Sequence, residues 1–205
     1  MKSLRLFSVA MLAACGALVA AAAVRPEVGQ PAPGFTLTDT HGKAHALSSF
    51  KGKVVVLEWI NHGCPFVVKH YDSGNMQQTQ RAAAADGVVW LSICSSAPGK
   101  QGHLSAADWN KTNAAKGAAP AAVLLDEAGV VGRLYHATNT PQLFVIDAAG
   151  VVVYSGAIDS IPSAKTDDVP KATNYILAAL ADLKAGRPVA TPVTKPYGCS
   201  VKYAE

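Results

Sequence analysis

Residues 57–71 read LEWINHGCPFVVKHY, and the order of residue types in this stretch decides the fold. It completes an apolar run, KVVVLEWI over 53–60, whose near-continuous β-branched character is that of a strand buried on both faces of a parallel sheet. The run leads to a single thiol, Cys64, with Pro65 directly behind it. Proline suits the first helical position, where the backbone N–H has no intrahelical acceptor, so a helix is predicted from Pro65 to near Gly74. A cysteine at such a helix start faces unpaired amides and the positive end of the helix dipole. Both favour the thiolate, which is the nucleophilic form.

Working outward, FTLTDT and KAHAL flank the turn-like His41-Gly42 and predict a hairpin ahead of the core strand. Beyond the first helix, a second is predicted over Met76–Ala85, then a buried strand from Val88 to Ser92 or Cys94. The polar loop SSAPGKQGHLS leads to an alanine-rich helix over roughly 105–116, and a further strand covers 122–125. After the turn Asp126–Gly129, VVGRLYH reads as a short helix that delivers the chain to Thr140-Pro141. LFVID and VVVYSGAI, joined by Asp147–Gly150, read as an antiparallel hairpin. The segment 174–184 has helical apolar spacing and stops at Gly186. Residues 187–205 are proline-punctuated and nonperiodic, the pattern of an irregular tail.

The chain opens with Lys2 and Arg5, an apolar run over 6–24 and Ala21-Ala22-Ala23, so residues 1–23 are predicted to be a secretory signal, and the protein exported to a periplasm or beyond. Leu12-Ala13-Ala14-Cys15 is a competing lipoprotein-type cleavage box that would lipidate Cys15, but the apolar GALVAAAA behind it lacks the polar tether of a lipoprotein. Residues 24–205 suit one domain with its own core. They contain no second long apolar span, so no membrane association is expected of the mature form unless it is lipidated or keeps its signal. A net charge of only +4, with Lys2 and Arg5 in the leader and no basic run, points away from nucleic acid. Of the four cysteines, Cys64, Cys94 and Cys199 remain after the leader. An odd number in an oxidising compartment leaves at least one thiol unpaired or intermolecular.

Strand, thiol at a helix start, strand, helix, proline-preceded strand, hairpin and terminal helix is the order of a thioredoxin-like α/β domain with a central mixed sheet flanked by helices. The lead-in PAPGFTLTDTHGKAHALSSFKGKVVVLEW, the site NHGCPFVVKHY and the block TNTPQLFVIDAAGVVVYSGAID resemble the redoxin group of the thioredoxin superfamily. Within it they are closest to peroxiredoxin-like proteins of the alkyl hydroperoxide reductase and thiol-specific antioxidant type. The similarity spans roughly residues 28–185, and PYGCSVKY in the tail resembles an exported redoxin-like subgroup. The resemblance implies a cis Thr140-Pro141 bond facing Cys64. Read from residues alone, Pro141 is also compatible with a trans proline entering an edge strand. It implies a thiol oxidoreductase without a cofactor, whose partners are a thiol reductant and a peroxide or oxidised protein.

Two departures stand out. A dithiol oxidoreductase of this superfamily completes C-x-x-C, where this chain has Val67, and the peroxidase pattern P-x-x-x-T-x-x-C is broken by Leu57 and Asn61. Any disulfide cycle must recruit a second cysteine from elsewhere. Cys199, on a flexible-looking tail after Pro196 and Gly198, is the preferred resolving thiol by analogy with distant second cysteines in peroxiredoxins. Cys94, at the end of the neighbouring strand, is the alternative, or else a small buried hydrophobe. His62, Lys69 and His70 are candidate cations that would lower the Cys64 pKa, though Lys69 and His70 also read as a solvated helix face. Trp59 reads as packing under the site. Glu58, a carboxylate in a buried strand, must be neutral or partnered and is a candidate proton acceptor. His62, Cys64, His70, His136 and Cys199 also invite a copper or zinc reading, but no strict ligand spacing supports a metal. The competing functions are a non-catalytic thioredoxin-fold binding module and a copper chaperone.

Overall fold

A computed structural model describes residues 26–205; the predicted leader and Cys15 lie outside the described residues. The lead-in hairpin forms from β1 (Thr36–Asp39) and β2 (Ala44–Ala46). Its second strand is shorter than KAHAL because Leu47–Phe50 curls into a 3-10 turn. The core then runs β3 (Val55–Trp59), α1 (Pro65–Asp72), α2 (Asn75–Ala85), β4 (Val89–Cys94), α3 (Ala106–Lys116), β5 (Ala122–Leu125) and α4 (Val130–Leu134). It continues through β6 (Asn139–Thr140), β7 (Gln142–Ile146), β8 (Val152–Gly156), α5 (Tyr175–Lys184) and β9 (Cys199–Ser200).

Seven strands make one mixed sheet in the order β2-β1-β5-β4-β3-β7-β8. β3, β4 and β5 are parallel, while β7 runs antiparallel to β3. Their side chains alternate between two cores, which is why the strands read as continuous apolar runs. Val56 packs with Cys64, Val67, Tyr71, Trp90 and Ile176 on one face, and Val55, Leu57 and Trp59 pack with Tyr135, Phe144 and Val201 on the other. Trp59 is therefore not under the site. It lies on the opposite face of the sheet, donating to Ser95 Oγ at 3.1 Å and packing on Tyr135 and Phe144.

Helix boundaries follow local chemistry. Ser105 Oγ accepts from the Asp108 N–H to start α3, which stops at Gly117 with φ +61°. Asn174 caps α5 by accepting from the Ile176 and Leu177 amides. Among the described residues no helix is long and apolar enough to cross a membrane.

The tail differs from its sequence reading as loose and irregular. β9 pairs antiparallel with β6, Thr140 opposite Cys199, and Val193 bridges Ser155. Periodicity was the wrong signal here, because single side chains anchor the segment one at a time. Val201 is buried in the second core, and the Tyr203 ring packs there with its hydroxyl on the Ala137 carbonyl at 2.7 Å. The Arg133 guanidinium lies over the Tyr203 ring at 4.5 Å. Gly129 and Gly132 leave the room for it, since a Cβ would approach that ring to 2.5 Å from Gly129 and 2.8 Å from Gly132.

Candidate active site around Cys64

Between β3 and α1 the chain turns on Asn61. Its side-chain oxygen accepts from the Gly63 N–H at 2.8 Å, its carbonyl from the Cys64 N–H at 2.9 Å, and its amide donates to the Gln101 carbonyl at 3.3 Å. Asn61 is thus spent on holding the loop. Cys64 becomes the residue before α1, with extended φ −86° and ψ 124°; its carbonyl accepts from the Val67 and Val68 amides, and Pro65 occupies the first helical position.

Two backbone groups converge on the Cys64 sulfur. In the thiol form Sγ donates to the Thr140 carbonyl at 3.1 Å, and the Cys199 N–H donates to Sγ at 3.4 Å. The Thr140-Pro141 bond is cis, placing this strand against Cys64 as the family resemblance implied. Thr140 Oγ1 is buried and has no hydrogen-bond partner. Burial pushes the Cys64 pKa up, but Cys199, through its thiol and amide, and the Val67 amide outweigh it. The net effect is to hold the pKa below that of an ordinary thiol. Cys199 moves the other way, to about 11, through burial, its hydrogen bond to Cys64 and repulsion from it. The two shifts run in opposite directions, so Cys64 is the more readily ionised thiol of the pair. Cys64 is 0% exposed, whereas Cys199 is half-buried.

Cys94, the alternative partner, donates its thiol to the Gly102 carbonyl at 3.4 Å, and burial raises its pKa. That is an inert thiol in a core, distinct from the pair at Thr140. All three cysteines are free.

The cations expected around the sulfur are not there. His62 is held neutral by burial, its Nε2 against Asn113 Oδ1 at 3.1 Å and its ring edge-on to Tyr71. His70 is pushed down to about 4 by burial and by the neighbouring Lys69, only partly offset by Asp159, and is likewise neutral near pH 7. Lys69 and His70 are not a solvated face either: they are 1% and 0% exposed. The Lys69 ammonium pairs with Asp159 Oδ2 at 2.9 Å and donates to the Ile161 carbonyl at 3.0 Å. The sulfur is tuned by backbone amides and the neighbouring Cys199, and neither His62, Lys69 nor His70 hydrogen-bonds to it.

Glu58 is fully buried and accepts from Ser92 Oγ at 2.7 Å, Trp90 Nε1 at 2.8 Å, Tyr71 OH at 3.1 Å and Gln80 Nε2 at 3.3 Å. Burial raises its pKa against those bonds. None of its hydrogen bonds goes to Cys64, so it anchors the layer beneath α1 and α2. Among the described residues no three His, Cys, Asp or Glu side chains gather into a metal-ligand set.

The comparisons with known proteins agree with this geometry. Residues 28–155, more than half of the chain, match the AhpC/TSA family. The chain belongs to the AhpC/TSA family. Its fold is that of a redoxin of the thioredoxin-like superfamily, and its chemistry is thiol-based redox chemistry. This AhpC/TSA member is similar to a hypothetical protein from Sinorhizobium meliloti, with 23% identity, coverage of 87% of this chain and 95% of that one, and a TM-score of 0.72. An uncharacterized conserved protein from Geobacillus kaustophilus matches at 27% identity, 87% and 93% coverage and a TM-score of 0.70. A Chlorobium tepidum protein described as the thiol:disulfide interchange protein DsbE matches at 27% identity, 63% and 84% coverage and a TM-score of 0.51. No curated protein matches the sequence.

Sequence reasoning missed Gly198, Tyr197 and Asp159. The only signal was the compact YGC of the tail, where a tight turn precedes the second thiol.

Proposed function

We propose that this protein reduces small hydroperoxides in a cycle between Cys64 and Cys199. The Cys64 thiolate attacks one peroxide oxygen and the O–O bond breaks. The other oxygen leaves with a proton as water or an alcohol, and Cys64 becomes a sulfenic acid. The Cys199 sulfur then attacks the Cys64 sulfur; the hydroxyl departs as water with the Cys199 proton, and a Cys64–Cys199 disulfide remains. An external dithiol is oxidised in returning both sulfurs to thiols.

One observation carries this reading: the Cys199 N–H donates to the Cys64 sulfur at 3.4 Å, which sets the second cysteine directly against the first. The complete burial of Cys64 favours a small oxidant over a folded protein disulfide. The test is mass spectrometry after one equivalent of hydrogen peroxide, with turnover of Cys64→Ser alongside. A Cys64–Cys199 disulfide and a dead variant are expected. Unmodified Cys64 and no turnover, with capture of a partner protein, would select a non-catalytic binding module, and full turnover of Cys64→Ser would overturn the role of Cys64.

Thiol–disulfide exchange is the second reading, favoured by the likeness to the Chlorobium tepidum protein. Oxidation by a small disulfide faster than by peroxide would select it. Export rests on residues 1–23 and is tested by N-terminal sequencing of protein recovered outside the cytoplasm; an uncleaved leader or a lipidated Cys15 would overturn cleavage after residue 23.

A further inference from the structure

Two residues before Cys199, the Tyr197 hydroxyl reaches a polar cluster that the cycle above does not use. Tyr197 OH donates to Asp159 Oδ1, while Asp159 Oδ2 holds the buried Lys69 ammonium at 2.9 Å. His70 Nε2 lies 3.2 Å from the same hydroxyl and 3.8 Å from Asp159 Oδ2, and His70 Nδ1 faces the Asn75 amide at 2.8 Å. This arrangement assigns the ring proton to Nε2, so that His70 donates to Tyr197, which in turn donates to Asp159. The Tyr197 ring packs edge-on against Phe66, with the Lys69 ammonium 5.7 Å from its centre.

A buried ion pair is a poor source of stability, because desolvating both charges offsets most of their attraction. What it supplies is a fixed direction. Lys69 and His70 belong to α1, the helix that Cys64 caps, and Tyr197 lies in the tail two residues before Cys199, the first residue of β9. The Asp159 carboxylate therefore fastens both sulfur-bearing elements to one point. Between Tyr197 and Cys199, the Gly198 carbonyl accepts from Asn139 Nδ2 at 2.9 Å, and beyond Cys199 the buried Val201 anchors the tail.

We propose that Tyr197 is a positioning residue for the second half of the cycle: seated on the Lys69–Asp159 pair, it holds Cys199 within reach of the Cys64 sulfenic acid. The inference rests on the proposed Cys64–Cys199 cycle and concerns only disulfide closure. In the first step the peroxide oxygen bonds to Cys64 sulfur, and Tyr197 acts on that step only through the Cys199 N–H that it helps to hold there. In the second, the S–S bond forms, water leaves, and the position of the tail sets the rate.

Tyr197→Phe removes the hydroxyl and keeps the ring. Loss of a hydrogen bond to a charged group corresponds to a factor of about 10–100. Rapid-quench mass spectrometry with hydrogen peroxide and a sulfenic-acid trap reads both steps. The expected result is closure slowed by about tenfold or more relative to Cys64 oxidation measured in the same variant, and sulfinic acid accumulating on Cys64 at excess peroxide. Asp159→Asn should slow closure similarly, and the double variant should be no slower than the slower single one, since both act through one contact. Wild-type closure in Tyr197→Phe, with the Cys64–Cys199 disulfide still forming, overturns the positioning role and leaves the cycle standing. Fully multiplicative slowing in the double variant also overturns the shared contact. Absence of that disulfide from the wild-type protein overturns the cycle and the positioning role together. If Asp159→Asn fails to fold because Lys69 is left unpaired, Tyr197→Phe decides alone, as it leaves the ion pair intact.

Discussion

Gly198→Ala should uncouple the two cysteines. Gly198 has φ +113°, and a Cβ there would lie 2.1 Å from the Thr140 carbonyl oxygen and 3.3 Å from Phe66 Cβ. A non-glycine residue in this backbone region costs about 1–3 kcal/mol before any clash. Relieving a 2.1 Å contact with a backbone oxygen further requires the tail to retreat by roughly 1 Å. The Cys199 N–H already sits 3.4 Å from the Cys64 sulfur, so that retreat breaks the bond. At about 1.4 kcal/mol per tenfold, the docked population falls by roughly 5- to 150-fold, and disulfide closure with it. Cys64 also loses the Cys199 donors that oppose its desolvation, so its pKa should rise. Stopped-flow measurement of closure after peroxide, with a pH titration of thiolate absorbance, reads both effects. Closure at the wild-type rate with an unmoved Cys64 titration would refute the claim that tail contact, set by this glycine, primes the sulfur.

Cys199→Ser should permit one stoichiometric oxidation of Cys64 and then accumulate sulfenic and sulfinic acid by mass spectrometry, whereas Cys94→Ser, which removes a buried thiol of raised pKa, should leave the cycle running. Glu58→Gln turns an amide NH₂ toward Ser92, Trp90, Tyr71 and Gln80, and should lower stability by about 1–3 kcal/mol in denaturant unfolding. An unchanged Cys64 titration in that variant would end any proton-acceptor role for Glu58. His70 titrates near 4 when folded, against 6.5 in the unfolded chain, so between those values the unfolded state binds the proton first. Stability should therefore fall as pH falls from about 6.5 to 4, by up to about 3 kcal/mol, and His70→Gln should flatten that slope in unfolding measured across the window.

Much of the scaffold was legible because it is locally encoded. The run at 53–60, the proline behind Cys64, and the caps Ser105 and Asn174 each act over a few residues, and the elements begin where those residues put them. The tail was not legible, since Tyr197, Val201 and Tyr203 are anchored singly by partners far away in the chain. Lys69 and His70 looked like surface charge for the same reason: Asp159, which makes burial of Lys69 tolerable, lies 90 residues further on.

By itself, the sequence determined that one sulfur would stand at a helix start beside a strand end, because dipoles, caps and proline geometry operate within a single turn of chain. Only the tertiary structure decided which cysteine meets it and what tunes it. Thr140 and Cys199 lie 76 and 135 residues from Cys64. Contacts at that separation come from packing two cores around one sheet, and no local pattern of residues records them.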